Sequence, residues 1–106
     1  VPGGLNTGGQ IVLRGRVLPD VTRFAINLKC GDDDDADIAL HFNPRNDDGD
    51  CVVRNSFQGG SWQGEERDIP SFPFNNGRKF TIRIMTYPDY FRILVNNWDF
   101  VRFDHR

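Results

Sequence analysis

The stretch IALHFNPR, residues 38–45, places three side chains with directional hydrogen-bonding groups two residues apart. Side chains alternate across an extended strand, so His41, Asn43 and Arg45 share one face while Ile38, Leu40 and Phe42 share the other. The polar face is a row of donors and acceptors spaced at about 7 Å, able to clasp a polyhydroxyl surface. CVVRNSF, residues 51–57, repeats the pattern: Cys51, Val53, Asn55 and Phe57 face one way, Val52, Arg54 and Ser56 the other. Pairing of the two stretches through the turn-rich PRNDDGD segment lets Asn55 extend the row and sets Val53 within it. In SWQGEER, Trp62 stands between Gly59-Gly60 and Gly64, a setting that displays a large ring rather than burying it. Beyond it, Glu65 and Arg67 fall on one face, Glu66 and Asp68 on the opposite one. A carboxylate and a guanidinium at that spacing hold each other and also grip hydroxyls through charge-assisted bonds. An aromatic platform ringed by these groups is chemistry for recognising a sugar: C–H faces stack on the ring and hydroxyls meet the polar rim. Such a site rejects an epimer that leaves its polar groups unpaired.

The elements that must position these groups read as strands almost throughout, with no helical stripe. Period-two patterning covers residues 10–18, 22–29, 37–43, 50–57, 65–69, 79–87, 90–96 and 99–106. Pro19-Asp20, Pro88-Asp89 and Asn96-Asn97 stand where tight turns are needed. About eight short strands at ~8- to 12-residue spacing predict an all-β fold, an antiparallel β-sandwich or barrel. A length of 106 residues suits one domain, and nine Phe residues with two Trp and two Tyr supply core volume. The net charge of −2 argues against binding a phosphate backbone, and Arg54 alternates away from Arg45 and Arg67, dissolving the one candidate basic patch. No apolar run approaches the ~20 residues of a bilayer-spanning helix. The two cysteines, Cys30 and Cys51, match no zinc or redox spacing and are expected to be free thiols. GDDDDAD, residues 31–37, lacks the glycine spacing and distal glutamate of an EF-hand, so it is expected to be a solvated acidic loop. Trp98 is expected to be structural.

HFNPR, VVRN and WQGEER, in that order and approximate spacing, resemble the signature of galectins, the β-galactoside-binding lectins. PGGL and GRV near the start, FPF at 72–74, FRILVNN and FDHR extend the resemblance over nearly the whole chain. It implies a jelly-roll sandwich over 1–106 as a single recognition domain for lactose- and N-acetyllactosamine-type glycans on glycoproteins or glycolipids. It implies no metal and no cofactor. His41, Asn43 and Arg45 would bond the axial 4-hydroxyl of galactose, Arg45 reaching the ring oxygen as well. Asn55 and Glu65 would hold the 6-hydroxyl, Trp62 would stack on the apolar face, and Glu65 with Arg67 would bond the 3-hydroxyl of a following glucose or N-acetylglucosamine. The family's domains run on past HR with two more strands, one in the sugar-binding sheet and one at the edge of the other. The domain is therefore expected to be incomplete at both ends, as a fragment, a natural truncation or a domain completed by a partner. Resemblance also implies a homodimer or tandem-domain setting, and cytoplasmic synthesis without a signal peptide followed by non-classical export.

The rival readings are a glycoside hydrolase on a similar sandwich and a protein-interaction module with weak or altered sugar binding. Hydrolysis needs two carboxyl groups about 5–5.5 Å apart for retention, or about 6.5–9.5 Å for inversion. Only Glu65 lies on the polar face, and an arginine partner favours its charged form over a proton-donating one. No Ser-His-Asp or Cys-His arrangement is present, so the chain is expected not to be an enzyme.

Overall fold

Period-two alternation makes a stable strand where its apolar half finds a second sheet to pack against. In the computed structural model, which describes residues 8–47 and 49–106, that condition is met by two facing sheets. The strands are β1 (Gln10–Arg16), β2 (Ile26–Lys29), β3 (Ile38–Arg45), β4 (Cys51–Gln58), β5 (Ser61–Trp62), β6 (Lys79–Thr86), β7 (Tyr90–Val95) and β8 (Trp98–Asp104). One sheet has the order β1-β6-β7-β8 and the other β2-β3-β4-β5, every neighbour antiparallel. No helix occurs among the described residues, and none is long and apolar enough to cross a membrane. The expected sandwich is thus the observed one.

Leu28, Leu40, Phe42 and Val52 of one sheet meet Ile82, Ile84, Phe91, Ile93, Val95 and Phe103 of the other in a single core. Each such side chain, fully buried, contributes about 1.5–3 kcal/mol relative to leaving it exposed. Phe74, from the connection between β5 and β6, fills the space between the sheets. Packing there is close enough that Gly15 faces the Phe80 ring, whose Cζ would lie 2.9 Å from any β-carbon at that position.

Two hairpins are set by residues that tolerate a left-handed backbone. Gly59 and Gly60 (φ 58° and 83°) turn β4 into β5, and Asn96 and Asn97 (φ 53° and 68°) turn β7 into β8. Positive φ at both central residues is the requirement of the turn that matches strand twist.

Three expectations are corrected. Residues 65–69 do not form a strand: only Glu66 bridges to Arg54, because the Asn55 side chain takes the Gln63 carbonyl that a continuous ladder would have used. The strand beside β4 is instead the short β5, which carries Trp62. Residues 22–25 stay outside β2, tied down by an isolated Arg23–Arg45 bridge. Trp98, expected to be structural, is 78% exposed at the start of β8. PGGL, at residues 2–5, and Asp48 lie outside the described residues.

Candidate functional site

Register places the polar row. Across β3 and β4, His41 sits opposite Asn55, Asn43 opposite Val53 and Arg45 opposite Cys51. These pairs share the face directed away from the core, as opposed residues of an antiparallel pair do. The Gly59-Gly60 turn then sets Trp62 opposite Phe57 on that same face. Its ring is propped by Phe57 at 5.1 Å and His41 at 4.8 Å between centroids, and remains 50% exposed. The ring is thus braced on two sides and presents an open apolar face.

His41, Arg45, Val53, Asn55, Trp62, Gln63 and Glu65 line one open groove of about 320 Å³. His41 Nδ1 lies 2.5 Å from Asn27 Oδ1 on the neighbouring strand β2. An amide oxygen only accepts, so Nδ1 carries the proton and Nε2 offers a lone pair. Burial, and then the charge of Arg45, hold the imidazole below its ordinary value of 6.5, while Asn43 and Glu65 act in the opposite direction. Neutral imidazole is therefore favoured.

Asn43 is 5% exposed and does not line the groove. Its Nδ2 donates to the Phe24 carbonyl at 2.7 Å, and its Oδ1 accepts from Arg45 Nε at 2.7 Å. Asn43 thereby sets the plane of the Arg45 guanidinium. Glu65 Oε2 accepts from Arg67 Nε at 2.9 Å, and Arg67 Nη1 also reaches Cys51 Sγ at 3.8 Å. The expected pairing of Glu65 with Arg67 is present, with Arg67 at the side of the groove rather than in its lining. Glu66 and Asp68 turn the other way, to Arg106 and Arg54. Arg54 is 1% exposed in the interior, its Nη1 donating to the Val52 carbonyl, well apart from any surface patch.

Sequence reasoning missed Gln63 and Asn27. Asn27 was legible, since alternation in INLK sets it opposite in facing to Ile26 and Leu28, where it meets His41. Gln63 carried no such signal, because it follows β5 in irregular backbone. Residues 31–37 form an exposed acidic connection closed by the Cys30 N–H to the Asp37 carbonyl, and Asp37 Oδ1 accepts from the Gly59 N–H of the Trp62 hairpin. No group of three or more His, Cys, Asp or Glu side chains converges as a metal site among the described residues. Cys30 and Cys51 are unbridged.

An all-β sandwich whose one sheet carries a polar groove beside a displayed tryptophan is the architecture of a lectin. The family described as galactoside-binding lectin matches residues 1–106. Human galectin-7 is 42% identical over 106 residues, all of this chain and 76% of that protein. Mouse galectin-6 is 40% identical over the same length, of which this chain covers 35%. Among solved structures, chicken galectin 2 superposes with a TM-score of 0.83 at 34% identity, over 95% of this chain and 74% of that one. The chain belongs to the galectins, a family of sugar-binding proteins and not of enzymes. It spans about a third of the length of the galectin-6 and galectin-4 relatives it matches.

Proposed function

We propose that this chain binds β-galactosides reversibly in the groove beside Trp62, with lactose- and N-acetyllactosamine-type glycans on glycoproteins or glycolipids as its ligands. The observation that carries this reading is the juxtaposition of a half-exposed Trp62 ring with His41, Arg45, Asn55 and Glu65 along one groove. Galactose has one face of C–H bonds and an axial 4-hydroxyl on the other side, which fits a platform with a polar row at its margin. Glu65 and Arg67 extend the recognition to the next sugar. Calorimetric titration of lactose against cellobiose, which differs from it in the direction of one hydroxyl, tests the reading. Lactose binding with cellobiose weaker by about 30-fold or more is expected, and equal affinities would refute it. A single shallow site binds weakly, so cross-linking of glycans would come from a homodimer or a tandem arrangement that joins two sites.

Trp62→Ala should weaken lactose binding by about 1–3 kcal/mol, the range for an aromatic stacking platform. Phe57 and His41 keep their backbone positions in that variant, so thermal stability is expected to change little. Unaltered lactose affinity would remove Trp62 from the site.

Acidification should also weaken binding. His41 offers an Nε2 lone pair while neutral, and protonation converts that acceptor into a donor. Because its folded-state pKa lies below the ordinary 6.5, lactose affinity is expected to hold steady above pH 6.5 and to fall as pH drops below it. Folding stability follows the same direction, since an unfolded imidazole takes up the proton first. Titrations across that range check this, and affinity held constant down to the carboxylate range would exclude His41 as an acceptor.

A further inference from the structure

Asn55 lines the groove yet is only 4% exposed, and its polar atoms are engaged from behind. Its Oδ1 accepts from the Ser56 backbone N–H at 2.7 Å and from Arg106 Nη1 at 3.0 Å. Its Nδ2 donates to the Gln63 carbonyl at 2.9 Å. Backbone N–H and guanidinium groups only donate, and a carbonyl only accepts, so these partners fix which end of the amide is which. Both lone pairs of Oδ1 are used, and one Nδ2 hydrogen remains.

Arg106 is itself held on four sides. Beyond Asn55, its Nη1 donates to Ser56 Oγ at 3.2 Å, its Nη2 meets Glu66 Oε2 at 3.0 Å, and its guanidinium carbon lies 4.6 Å from the centre of the Phe103 ring. The charged donor makes its bond to Asn55 stronger than a neutral one. It reaches β4 from beyond the end of β8, across the gap between the two sheets.

We propose that Arg106, which does not line the groove, is a positioning residue for sugar specificity: by occupying Asn55 Oδ1 it makes Asn55 a donor only. This rests on the reading of the groove as a galactose site in which Asn55 meets the 6-hydroxyl. That hydroxyl then accepts from Asn55 Nδ2 and directs its own proton to a carboxylate oxygen of Glu65, which is paired with Arg67. Orientation of the 6-hydroxyl thus depends on a residue outside the groove.

The test compares lactose with 6′-deoxylactose by calorimetry on the unmodified chain, Arg106→Met, Arg106→Lys and Glu66→Gln. The unmodified chain should bind 6′-deoxylactose about tenfold more weakly than lactose, the value of a lost hydrogen bond whose partner is left unpaired. Arg106→Met should lose about five- to tenfold in lactose affinity and almost none toward 6′-deoxylactose, so that discrimination collapses. Arg106→Lys should restore part of it. Glu66→Gln, which leaves Arg106 in place with a weaker anchor, should show a smaller loss of the same selective kind and keeps the inference testable if Arg106→Met fails to fold. Equal losses for both sugars, or undiminished discrimination, would overturn the positioning role while leaving the groove assignment standing. An unmodified chain that bound both sugars alike would overturn the 6-hydroxyl contact and this role together.

Discussion

Arg45→Ala is expected to lower lactose affinity by about 2–5 kcal/mol, roughly 30-fold to beyond 1,000-fold, and to bring it down to that of cellobiose. The argument begins with Asn43, which is buried and anchored to the Phe24 carbonyl, and so holds the Arg45 Nε at 2.7 Å from a fixed oxygen. A guanidinium is planar, so one fixed nitrogen sets the plane of its other donors beside the groove that Arg45 lines. In the proposed complex those donors meet the axial 4-hydroxyl and the ring oxygen of galactose. Truncation removes a charged donor and also strands Asn43 Oδ1 in a buried position, which costs more than the bond itself contributes. Arg45→Lys should recover only part of the loss, since an ammonium keeps the charge without the fork. Cellobiose, which shares the ring oxygen but whose 4′-hydroxyl points elsewhere, should lose much less from either change. Calorimetry on both sugars measures the effect, and a variant that still preferred lactose would show that another group reads the 4-hydroxyl.

Local alternation carried most of this site because β3 and β4 are regular and adjacent in sequence. A strand's facing follows from counting by two, and one short turn fixes their register, so the sequence alone places His41, Arg45 and Asn55 together. Trp62 followed from its glycines. Asn43 was read correctly as to face but not as to burial, since the Phe24 carbonyl that accepts from it comes from residues outside any strand. The 65–69 segment misled because its polar alternation is that of a strand, while its partners are partly side chains, as Asn55 to Gln63 shows. Arg106 was beyond sequence reasoning altogether. Its bond to Asn55 joins β4 to a residue 51 positions away, just past the end of β8 in the opposite sheet, and no local pattern encodes such a contact.

The same limit applies to the core, where the largest stability effect is expected from a residue that no strand pattern marks. Phe74→Ala should destabilise the fold by about 3–5 kcal/mol. Phe74 is 1% exposed, and its ring lies 5.5 Å from Phe24, 6.0 Å from Phe42, 5.5 Å from Phe80 and 6.2 Å from Phe100, all edge-on. Those partners come from β3 in one sheet, β6 and β8 in the other, and the connection before β2. The ring is thus a wedge between the sheets, and its neighbours are committed to two separate ladders, so they cannot collapse into the space it leaves. Residual cavity adds to the lost transfer energy for that reason. Against a total stability of about 5–15 kcal/mol, the melting temperature should fall on the order of 15–30 °C. Phe74→Leu, which refills much of the volume, should lose well under half as much. Lactose affinity measured in the cold, where the variant is still folded, should change by only a few-fold, because Phe42 faces the core while its neighbours His41 and Asn43 lie on the opposite face of β3 and keep their register with β4. Thermal unfolding followed by calorimetry separates the two effects. A melting point within a few degrees of the unmodified chain would mean that the sheets close over the gap, and a collapse of sugar binding in the cold would mean that core and groove are coupled through β3.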